Sequence, residues 1–282
     1  MNVDSHFKGW AKPGAVPPGL SALGDEGAAA AETLDAISGH FRLFQLRDGH
    51  RFSTDDILTA WYGTSWCPTA RTVLDLGSGI GTVGMICAWR LPGARFVTVE
   101  AQSESVALAG KSARYNGLDA RYEIREGDFR QPGILKVDEK FDLITGSPPY
   151  WPLEAGLQSE HPQKVACRFE LRGDVKDYCS TAAKHLASGG FFACVFPHEP
   201  AQLARVVEGA KSAGLVIVRK RPIVFREGDP ALIALFGMMR AEDLPEWFRG
   251  QTWTEPDLII RTRDGKIHPE YSAVKLAIGF PP

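Results

Sequence analysis

The sequence holds few cysteines, and no spacing pairs them. Cys67, Cys87, Cys167, Cys179 and Cys194 lie far apart with no CxxC, and the seven histidines form no HxH or HxxxH cluster. A disulfide framework and structural zinc are excluded on that pattern, and no metal is expected. Also missing is any apolar run near the ~18 residues a membrane helix needs. The longest, around residues 231–239, is broken by Gly237. The start MNVDSHFKGW has an early acid and no apolar leader, so a cytoplasmic protein with reduced thiols is expected and no membrane partner. Nor does one sign of charge dominate: 32 Lys and Arg face 34 Asp and Glu, for a net charge of -2. No global field draws the chain to nucleic acid, so any such contact must use a local patch. What is present, 44% hydrophobic and 23% charged residues in a chain of 282, suits an ordinary globular core.

Residues 1–38 are rich in Gly, Ala and Pro and read as a loosely ordered N-terminal arm. The Ala28 to Ala31 run with Glu32, Leu34 and Ile37 suits a short helix at its end. Residues 39–282 read as a single catalytic domain with an irregular tail from about residue 241. Its FRLFQL alternates as a strand does, and TDDILTAWYG reads as a helix capped by Thr54 or Asp55. The strand candidates TVLDLG, RFVTVE, RYEIREGD, FDLITGSPPY and GGFFACVFP then alternate with the helical stretches VGMICAWRL, SESVALAGKSARYNG and VKDYCSTAAKHLASGG. That rhythm predicts an α/β fold, a parallel sheet with helices on both faces. LVIVRKRPIVF and ALIALFGMMR, joined by REGDP, add an antiparallel terminal pair, so the expected sheet is mostly parallel and seven-stranded.

The strand TVLD enters Asp75-Leu-Gly77-Ser-Gly79-Ile-Gly81-Thr-Val-Gly84 and then a helix. Glycines at a strand-to-helix turn let backbone approach a nucleotide-like ligand. Gly79, Gly81 and Gly84 spell GxGxxG with Glu100 about 20 residues on, which formally meets the dinucleotide fingerprint and leaves a dehydrogenase as an outside reading. The triplet Gly77, Gly79 and Gly81 after Asp75 resembles instead the first motif of class I S-adenosylmethionine methyltransferases, with their Rossmann-like fold. The resemblance implies S-adenosyl-L-methionine as cofactor. It implies that Asp75 orients the turn and the donor's amino acid end, that Glu100 accepts from both ribose hydroxyls, and that Asp128 takes the adenine amino group with Phe129 beside the ring.

After the fourth strand comes Ser147-Pro148-Pro149-Tyr150-Trp151. Two prolines stiffen the backbone and present carbonyls at the strand's carboxyl edge. An exocyclic amine is a poor nucleophile because its lone pair is delocalised into the ring. Hydrogen bonds to the Ser147 hydroxyl and the Pro148 carbonyl favour a pyramidal nitrogen, and Tyr150 is expected to stack on the ring, so catalysis is mostly positioning. Here the chain is similar to the amino-methyltransferases with an (Asn/Asp/Ser)-Pro-Pro-(Tyr/Phe/Trp) motif, above all to bacterial valine-tRNA adenine-N(6) methyltransferases. The likeness runs from about Phe41 to Arg240 and includes DGHRFSTDDILTAWY, DLGSGIGTVGM, VTVEAQ, SPPYW and CRFELRGDVKDYCSTAAKHLASGGFFACVFP. It sets Arg51, Thr54 and Asp55 against the donor's methionine end, and Arg168 and Glu170 as a loop-pinning ion pair. Adenine enzymes of this type usually carry Asn where Ser147 stands; Ser is commoner in relatives that methylate cytosine.

The resemblance implies an N-methyltransferase acting on adenine in tRNA or another structured RNA, as a monomer. A protein-glutamine or small-amine methyltransferase, or a silent donor-binding subunit, stays open. Basic residues gather late, at Arg219, Lys220, Arg221, Arg226, Arg240, Arg261, Arg263 and Lys266, and make a candidate phosphate-tracking patch.

Overall fold

The computed structural model describes residues 6–7, 9–23, 29–150, 163, 170 and 173–282. Two short pairs come first. β1 (His6–Phe7) pairs antiparallel with β2 (Trp10–Ala11), and a helical turn, α1 (Pro18–Leu23), follows. β3 (Glu32–Ser38) and β4 (Phe41–Leu46) form an antiparallel hairpin. The Ala28 to Ala31 run with Glu32, Leu34 and Ile37 suits a short helix by sequence, yet Glu32, Leu34 and Ile37 lie in a strand: pairing with β4 overrides local preference. The hairpin is also anchored at a distance, because Ser112 Oγ donates to no backbone carbonyl of β4 but accepts the Phe44 N–H at 2.9 Å, while Asn116 bonds both backbone groups of Arg42.

The main sheet is built from β5 (Thr72–Leu76), β6 (Arg95–Glu100), β7 (Tyr122–Glu126), β8 (Phe141–Gly146), β9 (Leu186–Pro197), β10 (Leu215–Val224), β11 (Ile233–Arg240) and two short tail strands, β12 (Trp253–Thr254) and β13 (Leu258–Ile259). Its path runs β12-β10-β11-β9-β8-β5-β6-β7, with β13 also on β10, making nine strands. The seven expected strands are all present, and β11 is antiparallel to both β9 and β10. The two additional strands come from the tail, which is not irregular throughout: each adds parallel to β10.

Both faces of this sheet are covered, and alternation along each strand decides which residue goes where. On one face Val73, Leu143, Ala193 and Val195 meet α2 (Thr54–Trp66), α3 (Thr82–Arg90) and α4 (Ser103–Tyr115). On the other, Leu74, Leu76, Ile144, Phe192 and Phe196 meet α5 (Val175–His185) and α6 (Pro200–Ser212). α2 starts after Ser53 rather than after Thr54 or Asp55, with the Asp56 carboxylate accepting the Ser53 N–H at 3.0 Å. α5 ends at His185, ahead of the Gly-Gly stop the sequence suggested, because Leu186 already pairs with Phe141.

The tail is fastened by Glu255, which is buried. Its carboxylate accepts the Tyr62 hydroxyl at 2.7 Å and lies 3.9 Å and 3.8 Å from Arg219 and Arg221. The Arg219 guanidinium lies over the Trp66 and Trp253 rings, 3.2 Å and 4.3 Å from their centroids. The chain closes with α7 (Pro269–Ala277), whose last carbonyl accepts from Arg90 at 2.7 Å. Among the described residues no helix is long and apolar enough to cross a membrane.

Candidate active site

Parallel strands carry their ligand sites outside their carboxyl ends, where the order reverses. Here β5 lies between β6 and β8, so the reversal falls at the glycine turn. A cavity of about 570 Å³ opens there, within the size range of small-molecule sites. Its wall brings together Asp75, Gly77, Gly79, Glu100, Asp128, Phe129, Ser147, Pro148, Tyr150, Asp55 and Arg51, residues from five chain segments.

The turn requires its glycines. Gly77, Gly79 and Gly81 have φ of 61°, 55° and 90°, the left-handed region that L side chains avoid. A Cβ on Gly77 would run into the Tyr178 hydroxyl, whereas one on Gly79 would meet no atom of the described residues within 4 Å. Gly79 is therefore the point where bare backbone faces open cavity. Gly81 is the N-cap of α3 and keeps its expected place in the turn without reaching the cavity wall.

Asp75 holds this turn from beneath. β5 and β8 pair Asp75 with Thr145 in direct register, and the Thr145 hydroxyl donates to Asp75 Oδ1 at 2.8 Å while the Gly84 N–H donates to Oδ2 at 3.0 Å. Burial pushes the carboxyl up to about 7 against these bonds. Glu100 serves the same turn: its carboxylate accepts the N–H groups of Gly79 at 2.8 Å and Gln102 at 2.7 Å. Asp128 holds Arg130 at 2.6 Å, a bidentate pair. Phe129 is buried, its ring edge-to-face with Tyr178 at 4.8 Å, so it belongs to the core beneath the cavity as well as to its wall.

After the neighbouring strand β8, Ser147 Oγ is buried and has no hydrogen-bond partner among the described residues. A buried hydroxyl left unpaired is costly, and this one sits in the cavity wall. Tyr150 is placed differently from a free stacking plate. Its hydroxyl donates to Asp55 Oδ2 at 2.7 Å, and its ring packs edge-to-face on Phe196 at 5.6 Å while lining the cavity. Burial, opposed by that bond, raises the Asp55 carboxyl, and burial raises Asp56 to about 6.

Some expected members stand elsewhere. Thr54 faces a neighbouring cleft, where its side chain hydrogen-bonds with Tyr271, because the start of α2 turns it away from the side Asp55 faces. Arg51 does reach the wall, tied to Asp35 at 2.9 Å. Glu170 pairs with Arg205; Trp151, Cys167 and Arg168 lie outside the described residues. Half of the basic patch is absorbed into structure: Arg219 and Arg221 meet Glu255 and tryptophan rings, Arg240 is bidentate to Asp243, and Lys266 pairs with Asp264. Tyr178 and Thr145 are the site residues that sequence reading missed. Thr145 is recognisable only through strand register, and Tyr178 only once α5 is packed against the sheet. Among the described residues no group of three or more His, Cys, Asp or Glu is placed to hold a metal ion.

The family model for the methyltransferase small domain matches residues 63–202, the stretch that contains the glycine turn, the strand-end Ser147 to Tyr150 and β9. Curated relatives point the same way: the tRNA1(Val) (adenine(37)-N6)-methyltransferases of Escherichia coli strains HS and K12/DH10B are each 28% identical over 152 residues, covering 53% of this chain. The chain spans 59% of the length of those relatives. Among solved structures, a predicted O-methyltransferase from Agrobacterium tumefaciens superposes with a TM-score of 0.60 at 21% identity over 80% of this chain and 98% of that one, a likeness of fold. Gly79 and Ser147, which line one cavity, both fall within the matched residues.

Proposed function

We propose that the chain is an S-adenosylmethionine-dependent N-methyltransferase acting on an exocyclic amino nitrogen, adenine in tRNA or another structured RNA. The observation that carries this reading is one cavity lined both by the bare backbone of Gly79 and by Ser147, whose buried hydroxyl has no hydrogen-bond partner among the described residues. The glycine turn suits a nucleoside that must approach backbone closely; Ser147 offers an amine a buried oxygen that has no partner among the described residues.

The residues present fit the donor. Gly77, Gly79 and Glu100 would hold its nucleoside and amino acid parts, with Asp75 keeping the turn in shape from below and Asp55 across the cavity. When bound, the donor supplies an electrophilic methyl group. Ser147 Oγ and the Pro148 carbonyl would accept the two amine hydrogens, and Pro148 and Pro149 would keep those acceptors from moving. The Tyr150 ring, fixed by Asp55 and Phe196, would flank the base. Bringing nitrogen and methyl into line is then the main work of the site. A base in structured RNA has to leave its stack to enter, which favours loop nucleotides. The curated relatives named for tRNA adenine-N6 methylation support that acceptor. The protein is proposed to work in the cytoplasm as a monomer.

The test is incubation with labelled S-adenosylmethionine and total RNA from a host lacking the gene, followed by nucleoside analysis. N6-methyladenosine in the tRNA fraction is the expected product. Calorimetry that finds NAD bound and S-adenosylhomocysteine not bound would overturn the reading at its first step.

A further inference from the structure

A second cleft, of about 580 Å³, adjoins the first, and Ser53 lines both. Its placement follows from topology. β10 and β9 are each antiparallel to β11, so β10 runs the same way as β8 and β5 and ends at the same sheet edge as the glycine turn. Phe225 follows β10, and Ile260 follows β13, which lies parallel to β10. The tail thus delivers its residues to the edge where the active-site cavity opens.

The cleft's wall has two parts. Phe52, Phe225, Tyr271 and Phe280 supply aromatic surface, and Arg261 and Lys275 supply charge. Neither cation has an ion-pair partner among the described residues. Arg261 spends Nη1 on the Gly265 carbonyl at 3.0 Å, leaving most of its fork uncommitted, and Lys275 Nζ lies 5.6 Å from the Phe280 ring centroid. The adjacent carboxylate of Glu270 is engaged by the Ile259 N–H at 3.0 Å, and Asp55 by Tyr150. Two neighbouring cations with no carboxylate between them repel; burial first, and then the Arg261 charge, lower the Lys275 pKa. An anion between them would relieve that repulsion. The combination of aromatic faces with fixed cations is the one that binds single-stranded nucleic acid.

We propose that this cleft takes the nucleotide next to the methylated one in the RNA substrate, its base against the aromatic wall and its phosphate between Arg261 and Lys275. The inference rests on the RNA reading of the main cavity and assigns the tail a role in substrate choice: the acceptor must carry a neighbour on the side where the tail lies. A free nucleoside would fill the first cavity alone.

The test uses the full chain, bulk tRNA and S-adenosylhomocysteine. In the double variant Arg261→Ala/Lys275→Ala, affinity for tRNA should fall about tenfold or more. The slope of log K against log salt should drop by about one, the signature of one lost phosphate contact. S-adenosylhomocysteine affinity should not change. With 4-thiouridine-substituted tRNA, cross-links should map to peptides holding Phe225 or Phe280, a readout that needs no variant. Wild-type protein that binds tRNA with the same slope and affinity as the double variant, or cross-links only elsewhere, overturns the proposal and leaves the methyltransferase reading intact. Binding of S-adenosylhomocysteine without tRNA overturns both the cleft assignment and the RNA acceptor. Binding of neither overturns the donor site as well.

Discussion

Tyr150 donates its phenolic hydrogen to Asp55 across 2.7 Å, tying the loop after β8 to the first turn of α2, 95 residues earlier in the chain. The same tyrosine packs on Phe196 in the sheet. Its ring is thus fixed from two sides before any base arrives. Tyr150→Phe keeps the ring and loses the bond; it should lower stability by about 1–2 kcal/mol and retain most methyl transfer. Tyr150→Ala also removes the packing on Phe196, so the melting temperature should fall clearly, and turnover on RNA should drop about ten- to a hundredfold. Denaturant titration and single-turnover kinetics measure the two effects. Full turnover in Tyr150→Ala would show that the ring only packs.

Ser147 allows function and stability to be separated. Its Oγ is buried without a partner among the described residues, so Ser147→Ala removes a group whose desolvation costs about 1–3 kcal/mol. The expected outcome is an unchanged or raised melting temperature with turnover reduced several-fold. Ser147→Asn should be tolerated or improve transfer to adenine, because an amide oxygen is a better acceptor. Loss of all transfer in Ser147→Asn, with wild type active, would refute the receptor role.

Two glycines of the same turn should fail for different reasons. At Gly79, with φ of 55° and open space ahead, a side chain enters the cavity. Gly79→Val should leave a folded protein, strained by about 1–2 kcal/mol, that no longer binds S-adenosylhomocysteine. At Gly77 a Cβ meets the Tyr178 hydroxyl, so Gly77→Ala should show its defect first in thermal stability. Calorimetry alongside melting curves distinguishes them, and equal losses of both properties in both variants would contradict the geometry.

Buried carboxyls set the direction of the pH response. Burial raises Asp75 to about 7 and Asp56 to about 6, from an ordinary value of 3.8. Between pH 4 and 6 the unfolded chain has lost both protons and the folded chain still holds them; from pH 6 to 7 the folded chain holds only that of Asp75. Unfolding therefore becomes easier as pH rises, by about 1.4 kcal/mol per pH unit for each acid still protonated in the fold. The contribution is fully present below pH 4, falls through that window and levels off above pH 7. Asp75→Asn should flatten the upper part of the slope, between pH 6 and 7. Urea titrations at half-unit intervals would measure it, and a slope that survives the substitution would remove Asp75 from the account.

What could be read from the chain itself were the features that depend on neighbours in sequence. Alternation in TVLDL and FDLITG and the stops after helical stretches are local patterns, and they correspond to β5, β8 and the helices around them. The glycines of the turn were legible because positive φ excludes nearly every other residue. The paired prolines after Ser147 were legible because they restrict their own backbone. Tertiary structure decided whatever depends on what arrives from a distance. Residues 32–38 suited a helix by composition and became a strand because β4 was there to pair with it. Asp75 became a support of the turn because register placed Thr145 beside it. The late arginines looked free in sequence, yet Glu255 and three tryptophans, residues 34 to 160 positions away, take up Arg219 and Arg221. Arg261 and Lys275 were left facing one cleft because β13 carries the tail back to the active-site edge. Local sequence restricts the conformations each segment can adopt, while charge pairing, burial and register depend on partners that only the folded chain brings into contact.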